Sequence, residues 1–287
     1  MKAIIIAIIV AAIGLGIMAL AGWGDTRVYG HSVMLGAGVL AFAINWLVFV
    51  PSAILKTEKF YDLTGSVTYL AVIGFALYSA GTVDLRGGLV AACVAIWALR
   101  LGTFLFARIS ADGKDKRFNE IKQNPARFFI TWTLQGLWVS LTAACALMVV
   151  STPVPQPADA FLVAGLALWL TGFAIEVVAD NQKRAFRRDP ENAGKFITSG
   201  LWAWSRHPNY FGEIVLWTGI AIIALPILSG PQYVVLISPV FVMLLLTRVS
   251  GVPLLEKAAE QKWGSDPDFQ AYRDRTPVLF PKPPTRS

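Results

Sequence analysis

Residues 33–55 read VMLGAGVLAFAINWLVFVPSAIL, twenty-three residues without a charge. A helix rises 1.5 Å per residue, so about 20 apolar residues cross the roughly 30 Å hydrocarbon core of a bilayer. The composition extends this reading to the whole chain. Of its 287 residues 55% are apolar and 15% charged, against about 25% charged in an ordinary soluble domain. A mean hydropathy of +0.58 over that length implies lipid as the solvent for much of the surface.

Working outward, seven more apolar stretches have spanning length: about 3–21, 63–80, 87–107, 128–150, 160–179, 209–228 and 231–247. Backbone polar groups cannot go unpaired in hydrocarbon, so each is expected to be helical. The runs are continuous and lack the alternation of a transmembrane barrel. The fold expected is an all-α integral membrane bundle of seven to eight transmembrane helices with an interfacial C-terminal helix. It forms a single membrane domain over 1–287: an added N-terminal helix in 1–35, a core over 36–250 and a tail over 251–287. The first stretch has two readings. Lys2 and Ala19-Leu20-Ala21 suit a signal peptide, but the run is long for one, and a retained helix is the reading taken.

The net charge of +7 is explained by topology. With eight helices starting and ending in the cytoplasm, all but Arg27, Arg86 and Arg100 of the 25 Lys and Arg fall inside. The opposite orientation would reverse that bias, against the positive-inside rule. The protein is therefore expected in the cytoplasmic membrane with its C-terminus cytoplasmic. Nucleic acid is not implied. Cys93 and Cys145 fall in spans and form no disulfide framework. Two histidines and no Cys/His cluster argue against a metal site.

The outside loops are nearly bare. Ser151–Pro157 is Pro-rich and uncharged, a tight connection. Inside, 109–127 and 181–208 are longer and charged. The tail opens with Leu254, Leu255, Ala258 and Ala259 among Glu and Lys, a pattern suited to a helix lying along the interface. Any chemistry is expected on the inside face.

Charges within a bilayer are costly, and each is a functional candidate. Asp62, opening a span, reads either as a helix N-cap or as a buried acid that donates a hydrogen bond to a carbonyl. Arg100, about eight residues inside its span, either snorkels to the interface or meets a buried anion. Glu176, Asp180, Arg184 and Arg187 share one helical face by their spacing. They form either a solvated helix end with ion pairs or a cradle in which Arg forks take phosphate and Asp takes ribose or amide groups. Arg206-His207-Pro208-Asn209-Tyr210-Phe211-Gly212-Glu213 is the densest polar cluster, and it runs straight into a span. A turn with a capping Asn209 would account for His207 and Pro208 but not for Glu213, which lies within the apolar run. Arg248 closes the last span, as an interfacial anchor or as a ligand contact. The chain lacks a Gly-rich dinucleotide fingerprint, a P-loop and a nucleophile elbow, so a nucleotide-like cofactor needs another kind of cradle.

Asp180-Asn-Gln-Lys-Arg184-Ala-Phe-Arg187, followed by Gly200-Leu-Trp-Ala-Trp-Ser-Arg-His-Pro-Asn-Tyr-Phe-Gly-Glu213, resembles the steroid 5α-reductase family of membrane enzymes. The likeness runs from about residue 36 onward and is strongest over 175–280, the first helix standing as an addition to that family's seven-helix core. The resemblance implies NADPH as cofactor, reduction of the C=C bond of 3-oxo-Δ4 steroids, and a hydrophobic, steroid-like enone as substrate among membrane lipids. It implies Asp62, Tyr61 and Glu213 as catalytic residues, Asp62 polarising the ketone. The implied cofactor contacts are Arg100, Glu176, Asp180, Arg184, Arg187, His207, Asn209, Tyr210, Arg248, Glu256 and Tyr272. The chain departs from the family in three places: Glu176 stands where the family has Asn, Trp97 stands near its catalytic Tyr, and Val252 and Glu256 replace a His/Tyr pair. The Arg-His-Pro-x-Tyr-x-Gly element also occurs in sterol Δ14-reductases and in isoprenylcysteine carboxyl methyltransferases. The methyltransferases use S-adenosylmethionine, and Glu256 and Tyr272 resemble them. The Asp180–Arg187 stripe and Asp62 favour the reductases.

Overall fold

Every apolar stretch is helical in the computed structural model, which describes residues 2–25, 27–28, 30–113, 115, 118–152 and 155–284. Of the loops read above, Pro153 and Val154, and Lys114, Lys116 and Arg117, lie outside the described residues. In chain order come α1 (Lys2–Ala21), the two-residue antiparallel strands β1 (Arg27–Val28) and β2 (His31–Ser32), α2 (Val33–Ile54), α3 (Tyr61–Ala80), α4 (Leu85–Asp112), α5 (Pro125–Thr142), α6 (Ala144–Ser151), α7 (Ala160–Arg188), α8 (Pro208–Ala224), α9 (Ile237–Leu244), α10 (Val252–Trp263) and α11 (Pro267–Arg275). Among the described residues seven helices are long and apolar enough to cross a membrane, or eight if α5 and α6, bent by 50°, make one span. The chain is an all-α, multi-pass membrane protein. It packs as two compact units: residues 1–163 with 220–238, and residues 164–219 with 239–287.

In the first unit, α1 buries a stripe of mostly small residues, Ala7, Ala11, Gly14 and Met18. Ile5, Ile8 and Ile9 stay exposed, as a lipid-facing surface should. Side-chain caps set the helix starts. Asp25 accepts from Ser32 Oγ and the Met34 N–H, both at 2.8 Å, and Ser32 caps α2. Asp84 caps α4 through the Gly87 N–H and takes the Gln156 N–H on its other oxygen. Asn124 caps α5 with Pro125 as the first helical residue, where a missing N–H costs nothing.

The stretch expected as one straight helix, 128–150, instead breaks at Ala143. Irregular backbone at membrane depth survives only where protein covers it and its polar groups are paired, and both conditions hold. Every residue of α6 is buried. Ser238 Oγ donates to the Thr142 carbonyl at 2.6 Å, and Cys145 Sγ donates to the Val235 carbonyl at 3.0 Å. Gly24 and Asp25 beyond α1, Thr152 beyond α6, and Ile227, Ser229 and Gln232 line one cavity of about 290 Å³. The bent pair therefore ends beside the end of α1. At that end Arg86, 1% exposed, donates to the carbonyls of Ile223 and Pro157 and pairs with Asp159 at 2.8 Å.

In the second unit α7 and α8 touch backbone to backbone. A Cβ on Gly212 would stand 2.6 Å from the Gly172 carbonyl oxygen and 2.7 Å from the Glu176 nitrogen. Real Cβ atoms do not approach so closely, so only glycine fits. The tail folds back as α10 and α11, and Phe196 meets Trp263, Phe269 and Tyr272 at ring separations of 5.1–5.8 Å. Leu254 and Leu255 remain exposed on α10, as an interfacial helix requires. Gly212→Ala is expected to force α7 and α8 apart at a loss of about 1–3 kcal/mol, the usual cost of overpacking. Thermal unfolding in detergent checks it, and an unchanged melting temperature would mean that the helices give way freely.

Candidate active site

The C-terminal end of α7 is held by the loop that follows it. Gln182 Oε1 accepts the Leu201 N–H at 3.0 Å. Gly200, at φ +61°, sits so close to the Gln182 amide that a Cβ would meet its nitrogen at 2.5 Å. Trp202, buried, donates its indole N–H to the Ala179 carbonyl at 3.0 Å, and Lys183 Nζ lies 4.2 Å over its ring. The segment 204–206 is clasped by the tail: the Arg206 N–H donates to Pro277, Ser205 Oγ to Leu279, and the Lys282 N–H to Trp204. These contacts fix where Arg206-His207-Pro208-Asn209 begins.

Four of the expected residues in this unit are buried: Glu176 at 3% exposure, Asp180 at 7%, His207 at 4% and Glu213 at 7%. Asn209 Nδ2 donates to Asp180 Oδ1 at 3.2 Å, so Asn209 does not serve as a cap. Arg184 and Arg187 follow on the same helix and are exposed.

His207 Nε2 lies 2.8 Å from Glu256 Oε1, and Glu256 Oε2 lies 3.2 Å from Arg206 Nη2. The His207 ring stacks on Tyr210 at 5.6 Å and 10°. Its Nδ1 is sealed from solvent with no hydrogen-bond partner. Such an orphan costs about 1–3 kcal/mol. Burial holds the imidazole below its ordinary value of 6.5, against the opposing pull of Glu256.

Three further expected cofactor contacts come from the last span and the tail. Tyr272 is buried and donates its hydroxyl to the Trp202 carbonyl at 2.7 Å, and burial pushes its phenol up. It anchors the tail. Glu256 spends both oxygens on Arg206 and His207. Arg248 is exposed on a π-helical turn, Leu245–Val249.

In the first unit Asp62 is the second residue of α3, whose N-cap position is Phe60. Asp62 is therefore not a cap. Its Oδ2 lies 3.5 Å from Arg108 Nη2 on α4, a partner that sequence reading missed. Tyr61 donates its hydroxyl to the Thr131 carbonyl at 3.0 Å and packs between Phe118 and Trp132. Through these contacts it braces the turn carrying Asp62. Gln135 Nε2 adds a bond to the Tyr61 carbonyl at 2.9 Å. Arg100 lies on α4 with its guanidinium 5.1 Å from the Phe104 ring. Trp97 and Tyr69 pack edge to face at 5.0 Å. Among the described residues no group of three His, Cys, Asp or Glu could hold a metal ion.

Four residues before Asp62, Glu58 ties the α2–α3 loop to the α4–α5 loop. It accepts Lys122 Nζ at 2.5 Å and the Asp115 N–H at 3.0 Å. Burial alone would raise its carboxyl, but these bonds outweigh it and hold the group below its ordinary 4.5. The tie therefore contributes stability above about pH 4.5 and loses it as pH falls through the depressed folded value. Glu58→Gln is expected to unfold with less pH dependence than wild type below pH 4.5. Parallel acid titrations would contradict the assignment.

A family profile, "Protein of unknown function (DUF1295)", matches residues 48–276. Among curated proteins the chain is 40% identical over 58 residues to 3-oxo-5-alpha-steroid 4-dehydrogenase 1 of Mus musculus, covering 20% of this chain and 23% of that one. It is 39% identical over 67 residues to the Delta(14)-sterol reductase of Ascobolus immersus, covering 18% and 16%. It is also 32% identical over 65 residues to a probable O-methyltransferase of Ustilaginoidea virens, covering 23% of each. The matched stretches span less than a quarter of these relatives. No solved structure matches. The resemblance read from 180–213 thus returns in relatives named as steroid and sterol reductases. With four-fifths of its length under the family profile, the chain belongs to the DUF1295 family, a steroid 5α-reductase-like family described as of unknown function.

Proposed function

We propose that the protein is an NADPH-dependent membrane oxidoreductase that reduces the C=C bond of a lipid enone, 3-oxo-Δ4 steroids being the model substrate class. The observation that carries this reading is the Asp180–Asn209 contact, set beside buried Glu176, Glu213 and His207 and continued by Arg184 and Arg187 on the same helix. A phosphorylated dinucleotide needs cations for phosphate, acceptors for ribose hydroxyls, and both donors and acceptors for a carboxamide. The second unit offers each. Its sealed His207 Nδ1 lacks the donor that such a ligand would bring.

NADPH, when bound, supplies the hydride. Arg184 and Arg187 hold phosphate in bidentate forks. Asp180 and Asn209 orient the sugar and amide portions. In the first unit Asp62, in its acid form, donates to the enone oxygen, with the Arg108 guanidinium beside it as a second donor. Both stabilise charge developing on that oxygen. Tyr61 holds Asp62 in place through Thr131. A proton from water completes the addition at the α-carbon. The bias of Lys and Arg toward the loops and tail on one side supports a site at the cytoplasmic face of the cytoplasmic membrane.

A second reading, an S-adenosylmethionine-dependent methyltransferase, is favoured by the match to a probable O-methyltransferase. Thermal shift in detergent separates the two, since a ligand that binds only the native state raises apparent stability. NADPH is expected to stabilise the protein. Stabilisation by S-adenosylmethionine alone would replace the cofactor and the chemistry. Arg184→Ala/Arg187→Ala should weaken NADPH binding by roughly tenfold or more, through loss of charge-assisted bonds. Asp62→Asn should lower turnover of a progesterone-like enone by about 100-fold, as loss of a general acid does, with NADPH affinity kept. Wild-type turnover in that variant would remove Asp62 from the mechanism.

A further inference from the structure

The C-terminal tail sends one carboxylate to the site, and it goes to His207 rather than to a ligand. A neutral imidazole carries one N–H donor and one lone-pair acceptor, and the choice is set by whatever the other nitrogen bonds. Glu256 Oε1 lies 2.8 Å from Nε2, and an ionised carboxylate only accepts. Arg206 on its other oxygen, at 3.2 Å, favours that ionised form and fixes its orientation. The proton of His207 therefore belongs on Nε2. Nδ1 is then a lone pair, sealed from solvent and without a partner. Tyr210 stacks on the ring at 5.6 Å.

We propose that Glu256 is a positioning residue that locks His207 in the Nε2–H tautomer, so that Nδ1 presents an acceptor to an N–H donor of the bound cofactor, the carboxamide of a nicotinamide. The second half rests on the NADPH reading; the first does not. The positive groups around the ring act in the same direction. Lys183 and Arg206 both disfavour the imidazolium, and burial does so most of all. A neutral, single-tautomer imidazole reads amide polarity as a fixed acceptor. A protonated ring, a donor at both nitrogens, could not.

The chain has two histidines, so His31→Gln leaves one imidazole. In that background, ¹⁵N-histidine NMR of the ligand-free protein should show a protonated, pyrrole-type Nε2 and an unprotonated, pyridine-type Nδ1. In Glu256→Leu the two signals should move toward an average of tautomers. A protonated Nδ1 in the parent would overturn the proposal, and so would a Glu256→Leu spectrum identical to it in a folded protein. Binding supplies the second arm. The 3-acetylpyridine analogue of NADPH carries methyl in place of the amide NH₂. The parent should bind NADPH about tenfold or more tightly than the analogue, a buried acceptor otherwise being left unpaired. Glu256→Leu should narrow that ratio toward one. Tight NADPH binding with no discrimination against the analogue would sink the carboxamide contact. If neither dinucleotide binds, the cofactor reading fails and takes that contact with it, while the tautomer is still judged by the spectrum.

Discussion

Where α7 and α8 meet, the Gly172 carbonyl and the Glu176 backbone occupy the space that a side chain on Gly212 would need. The rest of the second unit depends on this contact. With the two backbones this close, residues one turn either side of Gly212 on α8 are held beside residues one and two turns beyond Gly172 on α7. Asn209 thereby reaches Asp180, and Glu213 is buried within the same helix pair. In lipid, helices gain nothing from hiding apolar surface against one another, so close backbone packing and interhelical hydrogen bonds must hold them together. The contact that builds the site is also one that holds the helices.

A second constraint shapes the first unit: each backbone polar group at membrane depth needs a partner. The break between α5 and α6 releases carbonyls in a buried place, and Ser238 meets one of them. Arg86 does the same for the end of α8 by donating to Ile223, with Asp159 balancing its charge. A buried ion pair is weak support for stability by itself, because desolvation offsets much of the attraction. Here the guanidinium also supplies donors that an apolar side chain could not.

The spans were legible in the sequence because their signal is length and hydropathy, which needs no tertiary context. The break at Ala143 was not: nothing in Thr142-Ala143-Ala144 marks a bend, and Ser238, which makes it tolerable, lies far along the chain. The stripe of Glu176, Asp180, Arg184 and Arg187 was legible from helical spacing alone. The partners of Asp62 and Glu256 were not, since Arg108 and His207 come from other elements. Tyr61 and Tyr272 show the limit of reading roles from motifs. The motifs suggested ligand contacts for both, and the structure adds that both hydroxyls donate to backbone carbonyls. A buried phenol needs an acceptor, and a nearby carbonyl satisfies it as well as a substrate would.

Glu176, Asp180 and Glu213 set a further condition on what the site can bind. Among the described residues the acids form no metal-binding group, and an ionised carboxylate is an acceptor only. Under the proposed NADPH reading, the hydroxyl and amide groups of the ligand lie toward these acids, and its anionic part reaches Arg184 and Arg187 where the helix leaves the apolar run. Donors at the deep end and anionic charge at the exposed end describe a sugar and an amide attached to phosphate. That polarity follows from the order of acids and arginines along α7, and the proposed reading rests on it rather than on a glycine-rich loop or a Rossmann sheet.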